Sequence, residues 1–206
     1  PANLACVNRN GALYQDKLFI ATHDAHLVAL NARTGEVEWD EEVGDWTIGQ
    51  HYSGGPMVIK GRVVAGMSGC YHLNTRCWVS AHDAETGDEL WRTYTIPGQG
   101  EFGYDSWGGI PEEDRRGGSA WNSPSYAPEL NLIYTGVGVP IPWGSVQRGS
   151  GDGDVLYTNS TLALDADTGN IVWYFQHIPN DEWDLDHPFA RLVLETEVSP
   201  GAVEWK

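Results

Sequence analysis

Acids crowd around one tryptophan towards the end of the chain. In Gln176-His-Ile-Pro-Asn-Asp-Glu-Trp-Asp-Leu-Asp-His-Pro188, the residues Asp181, Glu182, Asp184 and Asp186 stand almost side by side. A locally extended backbone from Asp184 to Asp186 would turn both carboxylates to one face, where they can clamp a hard cation or hold a base beside one. The plainer reading of the same run is a solvated acidic loop. A second cluster, Gly117-Gly-Ser-Ala-Trp-Asn-Ser-Pro-Ser-Tyr126, is followed by Asn131-Leu-Ile-Tyr-Thr-Gly-Val-Gly-Val-Pro-Ile-Pro-Trp143. It sets Trp121 among glycines and serines, which suits a platform for a flat ring with hydroxyls at its rim. A core or turn tryptophan fits that spacing equally well. Cys70 and Cys77 bracket Tyr-His-Leu-Asn-Thr-Arg. This spacing admits a disulfide closing a short loop, two free thiols, or a Cys/His metal site through His72 that lacks the second half of a zinc spacing. A disulfide implies an oxidising compartment and leaves Cys6 unpaired or paired outside this chain. Asn159-Ser-Thr161 matches a glycosylation sequon, Glu112-Glu-Asp-Arg-Arg116 reads as a solvated loop, and no P-loop, GxSxG or HExxH is present.

The elements that must position these residues come from an internal repeat. The segments Ala29-Leu-Asn-Ala-Arg-Thr-Gly-Glu-Val-Glu-Trp39, Ala81-His-Asp-Ala-Glu-Thr-Gly-Asp-Glu-Leu-Trp91 and Ala163-Leu-Asp-Ala-Asp-Thr-Gly-Asn-Ile-Val-Trp173 share one frame, A-x-[DN]-A-x-T-G-x-x-x-W. Alternating strands such as Lys17–Ala21 and Arg62–Gly66 lead toward the motif. Thr-Gly then reverses the chain with glycine free to take a positive φ, and a second strand ends on Trp. That Trp can lock one sheet to the next.

The interval from Trp39 to Trp91 is about one propeller blade, usually about 40–50 residues, whereas that from Trp91 to Trp173 carries an insertion, a Gly-rich loop around 97–118. The expected fold is all-β: a β-propeller of four-stranded antiparallel blades with Trp-docking repeats, about four blades within one partial domain spanning 1–206. An open arc of blades exposes its edges, so the working unit should include the remainder of the propeller or a partner chain. The opening PANLACVNRNG, without Met or a leader-like run, fits either a removed leader or an internal piece, and the strand-like alternation at the far end fits truncation or a missing partner chain.

Composition narrows the function classes. The 206 residues hold 29 Asp+Glu against 12 Lys+Arg, a formal charge of −17, which repels phosphate backbones and anionic headgroups. Nucleic acid and membrane surfaces are therefore poor partners, and no stretch approaches the ~18 apolar residues of a membrane span. Ten Trp, nine Tyr and four Phe mark a chain that folds rather than a disordered acidic one.

Taken together, Val7-Asn-Arg9, the Trp repeats, Gly-Gly-Ser119-Ala-Trp121, the run from Tyr126 to Tyr134 and Asn180-Asp-Glu-Trp-Asp-Leu-Asp186 resemble the pyrroloquinoline quinone (PQQ)-dependent alcohol dehydrogenases. The resemblance runs over nearly the whole chain, its order and spacing being more specific than any one motif. It implies a propeller of about eight blades, of which this chain is the N-terminal to middle part. It also implies a periplasmic enzyme that oxidises an alcohol to an aldehyde or ketone and passes electrons to a cytochrome c. Residue by residue, Trp121 matches the floor under the quinone and Ser119 a rim position. Arg9 matches the Arg that meets the cofactor carboxylates, and Ser53 with the Ser68-Gly69-Cys70 turn the groups along its edge. Asp184 matches the catalytic base beside a bound metal acting as Lewis acid. Asp186 stands where lanthanide-using members carry an additional carboxylate, so Asp184 and Asp186 are the expected ligands of Ca2+ or a lanthanide.

Three departures bear on that expectation. Tyr71 stands where the family usually has a Glu ligand, and Val139 where it has an Asn. The adjacent cysteine pair expected just before Val7-Asn-Arg9 is absent. Either Asp184, Asp186 and the cofactor's oxygens suffice for the cation, or the cation is lost. The competing readings are a cofactor-free propeller scaffold with the same Trp repeats and a carbohydrate-binding propeller. The joint presence of Trp121 and Asp184 weighs against the scaffold, and glycan binding without a redox cofactor would mark the carbohydrate-binding reading.

Overall fold

The computed structural model describes residues 7–199 and 202–205; Cys6 lies outside them. Each repeat builds one antiparallel four-stranded sheet in simple up-and-down order. The first contains β1 (Ala12–Tyr14), β2 (Lys17–Ala21), β3 (His26–Asn31) and β4 (Val37–Glu42). The second contains β5 (Met57–Ile59), β6 (Arg62–Gly66), β7 (Trp78–Asp83) and β8 (Glu89–Tyr94). After the short strand β9 (Arg116–Gly117), the third sheet takes β10 (Ser125–Ala127) and β11 (Leu132–Gly136). It is then interrupted by β12 (Pro140–Ile141), which pairs with β9, and is completed by β13 (Ser160–Asp165) and β14 (Ile171–Gln176). A hairpin of β15 (Glu195–Ser199) and β16 (Ala202–Trp205) follows. The expected four blades thus resolve, among the described residues, into three complete ones and a two-stranded hairpin. No helix among them is long and apolar enough to cross a membrane.

The repeat frame works the same way in all three sheets. The carboxylate or amide oxygen of Asn31, Asp83 or Asp165 accepts the backbone N–H groups two and three residues on, at 2.8–3.1 Å. This is the local side-chain turn that Asp and Asn favour. The following Thr hydroxyl accepts one more N–H. Gly35, Gly87 and Gly169 take φ of 77°, 84° and 75°, which an L side chain adopts only with strain. Each outer hairpin also carries a register shift at the same place, between Ala29 and Leu30, Ala81 and His82, and Ala163 and Leu164.

The tryptophans do lock successive sheets, although each sits inside its strand rather than at its end. Trp39 Nε1 donates to the Ala84 carbonyl at 3.1 Å, and Trp91 Nε1 to the Ala166 carbonyl at 3.3 Å. Both indoles are more than nine-tenths buried. In each case the acceptor is the second Ala of the next repeat, and the indole packs against that repeat's glycine. A Cβ added to Gly87 would meet Trp39 at 3.1 Å, and one added to Gly169 would meet Trp91 at 2.5 Å. At Gly35 a Cβ would meet nothing within 4 Å, and Trp173 remains 43% exposed.

The cores lie between sheets, as the period-2 strands require. Neighbouring residues of β6 face opposite ways: Val63 joins Phe19, Leu27 and Tyr52, while Val64 joins Ile133, Leu162 and Leu164. The insertion around 97–118, which has no periodicity in sequence, has a core of its own in Ile96, Trp107, Ile110 and Val155. Trp107 Nε1 donates to the Leu156 carbonyl. Arg115 is not a solvated loop residue but is buried, its guanidinium donating to the carbonyls of Ile110 and Tyr104. An insertion this close to the sheets needs donors for its inward-pointing carbonyls, and Arg115 supplies them.

Candidate functional site

Three chain segments are stitched together by backbone hydrogen bonds at one end of the second and third sheets. Met67 accepts from Ala120 N and Cys70 from Gly117 N, Val139 accepts from Gly118 N, and Ser119 accepts from Gly138 N, all at 2.8–2.9 Å. The acidic segment 181–188 closes over them. At Gly138 an added Cβ would come within 2.8 Å of Asp186 Oδ1, so only glycine lets this segment approach. The result is a cavity of about 340 Å³ lined by Tyr71, Ser119, Trp121, Val139, Ile141, Trp143, Asp184 and Asp186. An adjoining, more open recess of about 220 Å³ shares Tyr71 and Trp121 and adds Val7, Arg9, His51, Ser53 and Ser68.

Trp121 is held on several sides. Its Nε1 donates to Asp186 Oδ2 at 3.2 Å, and the edge of Phe189 meets it at a centroid distance of 5.7 Å. The Arg9 guanidinium lies over the ring, 4.8 Å from its centroid, with Nη1 donating to the Ser53 carbonyl at 2.8 Å. A cation beside an indole face suits a flat, electron-poor, anionic ligand. Ser53 Oγ lies 3.3 Å from both Ser68 Oγ and the Trp121 carbonyl oxygen. Arg9, Ser53, Ser68, Ser119 and Trp121 are thus brought together. Gly69 and Cys70 are not among the lining residues of either recess. Gly69 is pressed against the Gly49 carbonyl, and Cys70 is fully buried in a disulfide with Cys77, which excludes both the free-thiol reading and the metal site through His72.

The carboxylates reach one cavity by a different route from the one expected. Asp184 is not extended: its φ is +59°, a left-handed conformation that Asp tolerates better than most residues. Buried Asp181 causes the turn, its carboxylate accepting the N–H groups of Trp183 and Leu185 at 2.9 and 2.8 Å. Asn159 braces the same turn by donating to Asp181 Oδ2 and to the Leu185 carbonyl. Fully buried, Asn159 has this structural job rather than that of a sugar acceptor. Its neighbourhood with Asp181 was not legible from sequence, where the sequon was the only signal.

Burial raises the Asp184 carboxyl above the usual carboxylate range, with repulsion from Asp181 adding to it. Burial raises Asp186 too, against the lowering effect of the Val139 N–H at 3.0 Å and the Trp121 N–H. Desolvation pushes the Tyr71 phenol up, Ser119 within hydrogen-bonding reach opposing it and the two aspartates reinforcing it. Asp184 is the carboxylate at this site without a side-chain or backbone N–H donor, and a carboxylate whose charge no donor stabilises is a stronger base than one that accepts hydrogen bonds.

A propeller arc with an aromatic, carboxylate-bearing pocket at one end of its sheets is the class that fold and site define. Comparison with known proteins agrees. The family model for the glucose/ethanol/alcohol dehydrogenase β-propeller domain, a PQQ family, matches residues 41–204. Quinohemoprotein alcohol dehydrogenase ADH IIB of Pseudomonas putida is 39% identical over 189 residues, covering 87% of this chain and 27% of that protein. The structure of quinohemoprotein alcohol dehydrogenase ADHIIG from Pseudomonas putida HK5 superimposes with a TM-score of 0.89 at 36% identity, over 97% of this chain and 30% of that one. A europium-containing methanol dehydrogenase does so with a TM-score of 0.80 at 29% identity, over 97% of this chain and 37% of that one. The chain belongs to the PQQ alcohol dehydrogenase β-propeller family and spans about a third or less of the length of most of these relatives.

Proposed function

We propose that this chain supplies the floor and one wall of the pocket in which a longer quinoprotein oxidises an alcohol to an aldehyde or ketone. The observation that carries the reading is the single cavity that gathers Trp121, Ser119, Asp184 and Asp186 from segments far apart in sequence. The residues fit a planar quinone: an indole face, hydroxyls of Ser53, Ser68 and Ser119 at its margin, and the Arg9 cation for carboxylates. When bound, PQQ supplies the acceptor for the electron pair leaving the alcohol carbon. Trp121 orients the flat ring system, and Asp186 holds Trp121 through its indole N–H. Asp184 takes the alcohol hydroxyl proton on a carboxylate oxygen, as its raised proton affinity favours.

A hard cation fits this donor set poorly. Such ions take about 6–8 oxygens, gaining most from carboxylates. Here Val139 and Ile141 are apolar and Tyr71 is a neutral phenol, so the carboxylates facing the cavity are those of Asp184 and Asp186. Among the described residues no three His, Cys, Asp or Glu side chains are grouped to hold a metal ion. Delivery of electrons to a cytochrome c and a periplasmic location follow from the family resemblance, the latter supported by the Cys70–Cys77 disulfide.

The test is a PQQ titration followed by tryptophan quenching, with turnover measured on the protein that carries this chain. Trp121→Ala should abolish saturable binding, and Asp184→Asn should retain binding and stop turnover. Normal turnover by the Asp184 variant would remove the assignment of the base.

A further inference from the structure

We propose that this pocket takes its planar anionic ligand without a hard cation, the Tyr71 phenol donating the hydrogen bond that replaces the missing positive charge. The inference rests on the proposed function and deepens it. The argument starts with what each lining residue has left to offer. Val139 presents an alkyl side chain, its N–H is engaged by Asp186 Oδ1 at 3.0 Å, and its carbonyl is engaged by Gly118 N at 2.9 Å. Its side chain offers neither donor nor acceptor. Asp186 accepts one N–H on each oxygen, from Val139 and from the Trp121 indole. It therefore serves as a positioning residue for the platform, holding the Trp121 indole and the Val139 segment together.

Tyr71 is the lining residue shared by the cavity and the recess that also shares Trp121 and contains Arg9. Tyr71 and Ser119 line the same cavity, so the wall carries a phenol and a hydroxyl. A phenol is neutral at ordinary pH, and Tyr71, half-exposed where the two recesses meet, can turn its O–H toward an electron-rich oxygen of a ligand lying there. It does so without demanding a coordination shell. The remaining negative charge of the ligand meets Arg9, fixed above Trp121 by the Ser53 carbonyl.

The experiment is equilibrium binding of PQQ to the full chain, read by quenching of the pocket tryptophans in parallel arms with EDTA, Ca2+ and La3+. The expected dissociation constants agree within about twofold across the arms. Tyr71→Phe should weaken binding about three- to tenfold in every arm, the usual worth of one hydrogen bond. Tyr71→Glu with Val139→Asn should create dependence on the cation, EDTA then weakening binding at least about tenfold. Val139→Asn alone, which changes volume least, is the backup should the pair fail to fold, with the same direction expected. Terbium alone, excited through Trp121 and Trp143, should give the same emission from the unchanged chain and from Asp184→Asn. Quenching of the unchanged chain that appears only with a cation, a Tyr71→Phe variant that binds as before, or a saturable terbium signal lost in Asp184→Asn would overturn the inference while leaving the proposed function standing. Absence of quenching in every arm would overturn both.

Discussion

Gly169→Ala tests the claim that the repeat glycine is there as much for the neighbouring tryptophan as for its own turn. Three alanine substitutions separate the two reasons. Gly35, Gly87 and Gly169 have φ of 77°, 84° and 75°, so each variant carries a similar left-handed penalty of about 1–2 kcal/mol. Each also gains a similar, smaller stabilisation from a less flexible unfolded chain. What differs is the space. A Cβ at Gly35 meets nothing within 4 Å, one at Gly87 meets Glu41 at 2.9 Å and Trp39 at 3.1 Å, and one at Gly169 meets two carbons of Trp91 at 2.5 and 2.6 Å. A buried ring at that distance has to shift, and overpacking of this kind costs about 1–3 kcal/mol. Trp91 is anchored by its hydrogen bond to Ala166, so it yields only by lengthening that bond. The expected order of destabilisation is therefore Gly35 < Gly87 < Gly169. At a urea slope of about 2–3 kcal/mol per M, the Gly169 midpoint should fall about 0.5–1 M below that of the Gly35 variant. Combining Gly169→Ala with Trp91→Leu should recover part of the loss, a coupling of about 0.5–3 kcal/mol. Equal midpoints for the three variants, or no coupling with Trp91, would show that the turn alone selects glycine and that the indole contact is incidental.

Reducing the Cys70–Cys77 bond, or replacing both cysteines by Ser, should lower stability by about 2–3 kcal/mol, as expected for so short a closed loop; urea melts with and without dithiothreitol check this, and coincident curves would contradict it. Asp186→Asn sets an amide against two N–H donors and leaves one unmet, so stability should drop by about 1–2 kcal/mol and the near-ultraviolet signal of Trp121 should change, whereas an unchanged spectrum would mean that Phe189 alone holds the ring. His26 Nδ1 lies 2.7 Å from Asp40 Oδ1, and that hydrogen bond raises the imidazole pKa against the effect of partial burial. Its stabilisation is complete below the unfolded value of about 6.5 and is lost as pH rises through the higher folded value. Asp40→Asn should therefore flatten the fall of the urea midpoint between about pH 6 and 8, and an unaltered slope would place the titration elsewhere.

The parts of this fold that were legible in the sequence are those whose causes are local. An Asp or Asn accepting the amides two and three residues on, a Thr beside it and a glycine with positive φ lie within a few residues. The frame could therefore be read at all three places and strands set around it. The direction of the locks, each Trp reaching the second Ala of the following repeat, was not legible because donor and acceptor stand a whole blade apart. In the site, Trp121 and Asp184 were recognisable by type and by family resemblance. The role of Asp186 as acceptor for the Trp121 N–H spans 65 residues of chain, and nothing in either segment announces it. The bracing of the acidic turn by Asn159 and Asp181 was hidden for the same reason. The sequence also suggested the wrong backbone for Asp184, since alternate carboxylates suit a strand and only the contacts of Asp181 impose the left-handed turn. Arg115 shows the converse error: a charged run that looks solvated contains one side chain whose donors satisfy buried carbonyls.

The Trp locks also give the arc a polarity. The first and second blades each insert an indole into the blade that follows and meet it at that blade's turn, so the two flanks of such a group of blades are chemically unlike. One flank ends in a socket, the polar Asn31–Gly35 turn, which tolerates water without loss. The other ends in a plug, Trp173 with Val172 and Phe175 beside it, 43%, 57% and 61% exposed, which does not. Shortening a propeller of this kind from its leading side should yield soluble pieces. Shortening it from its trailing side uncovers a fresh indole at each step, and the stickiness of the product should depend on which side was cut rather than on how many blades remain.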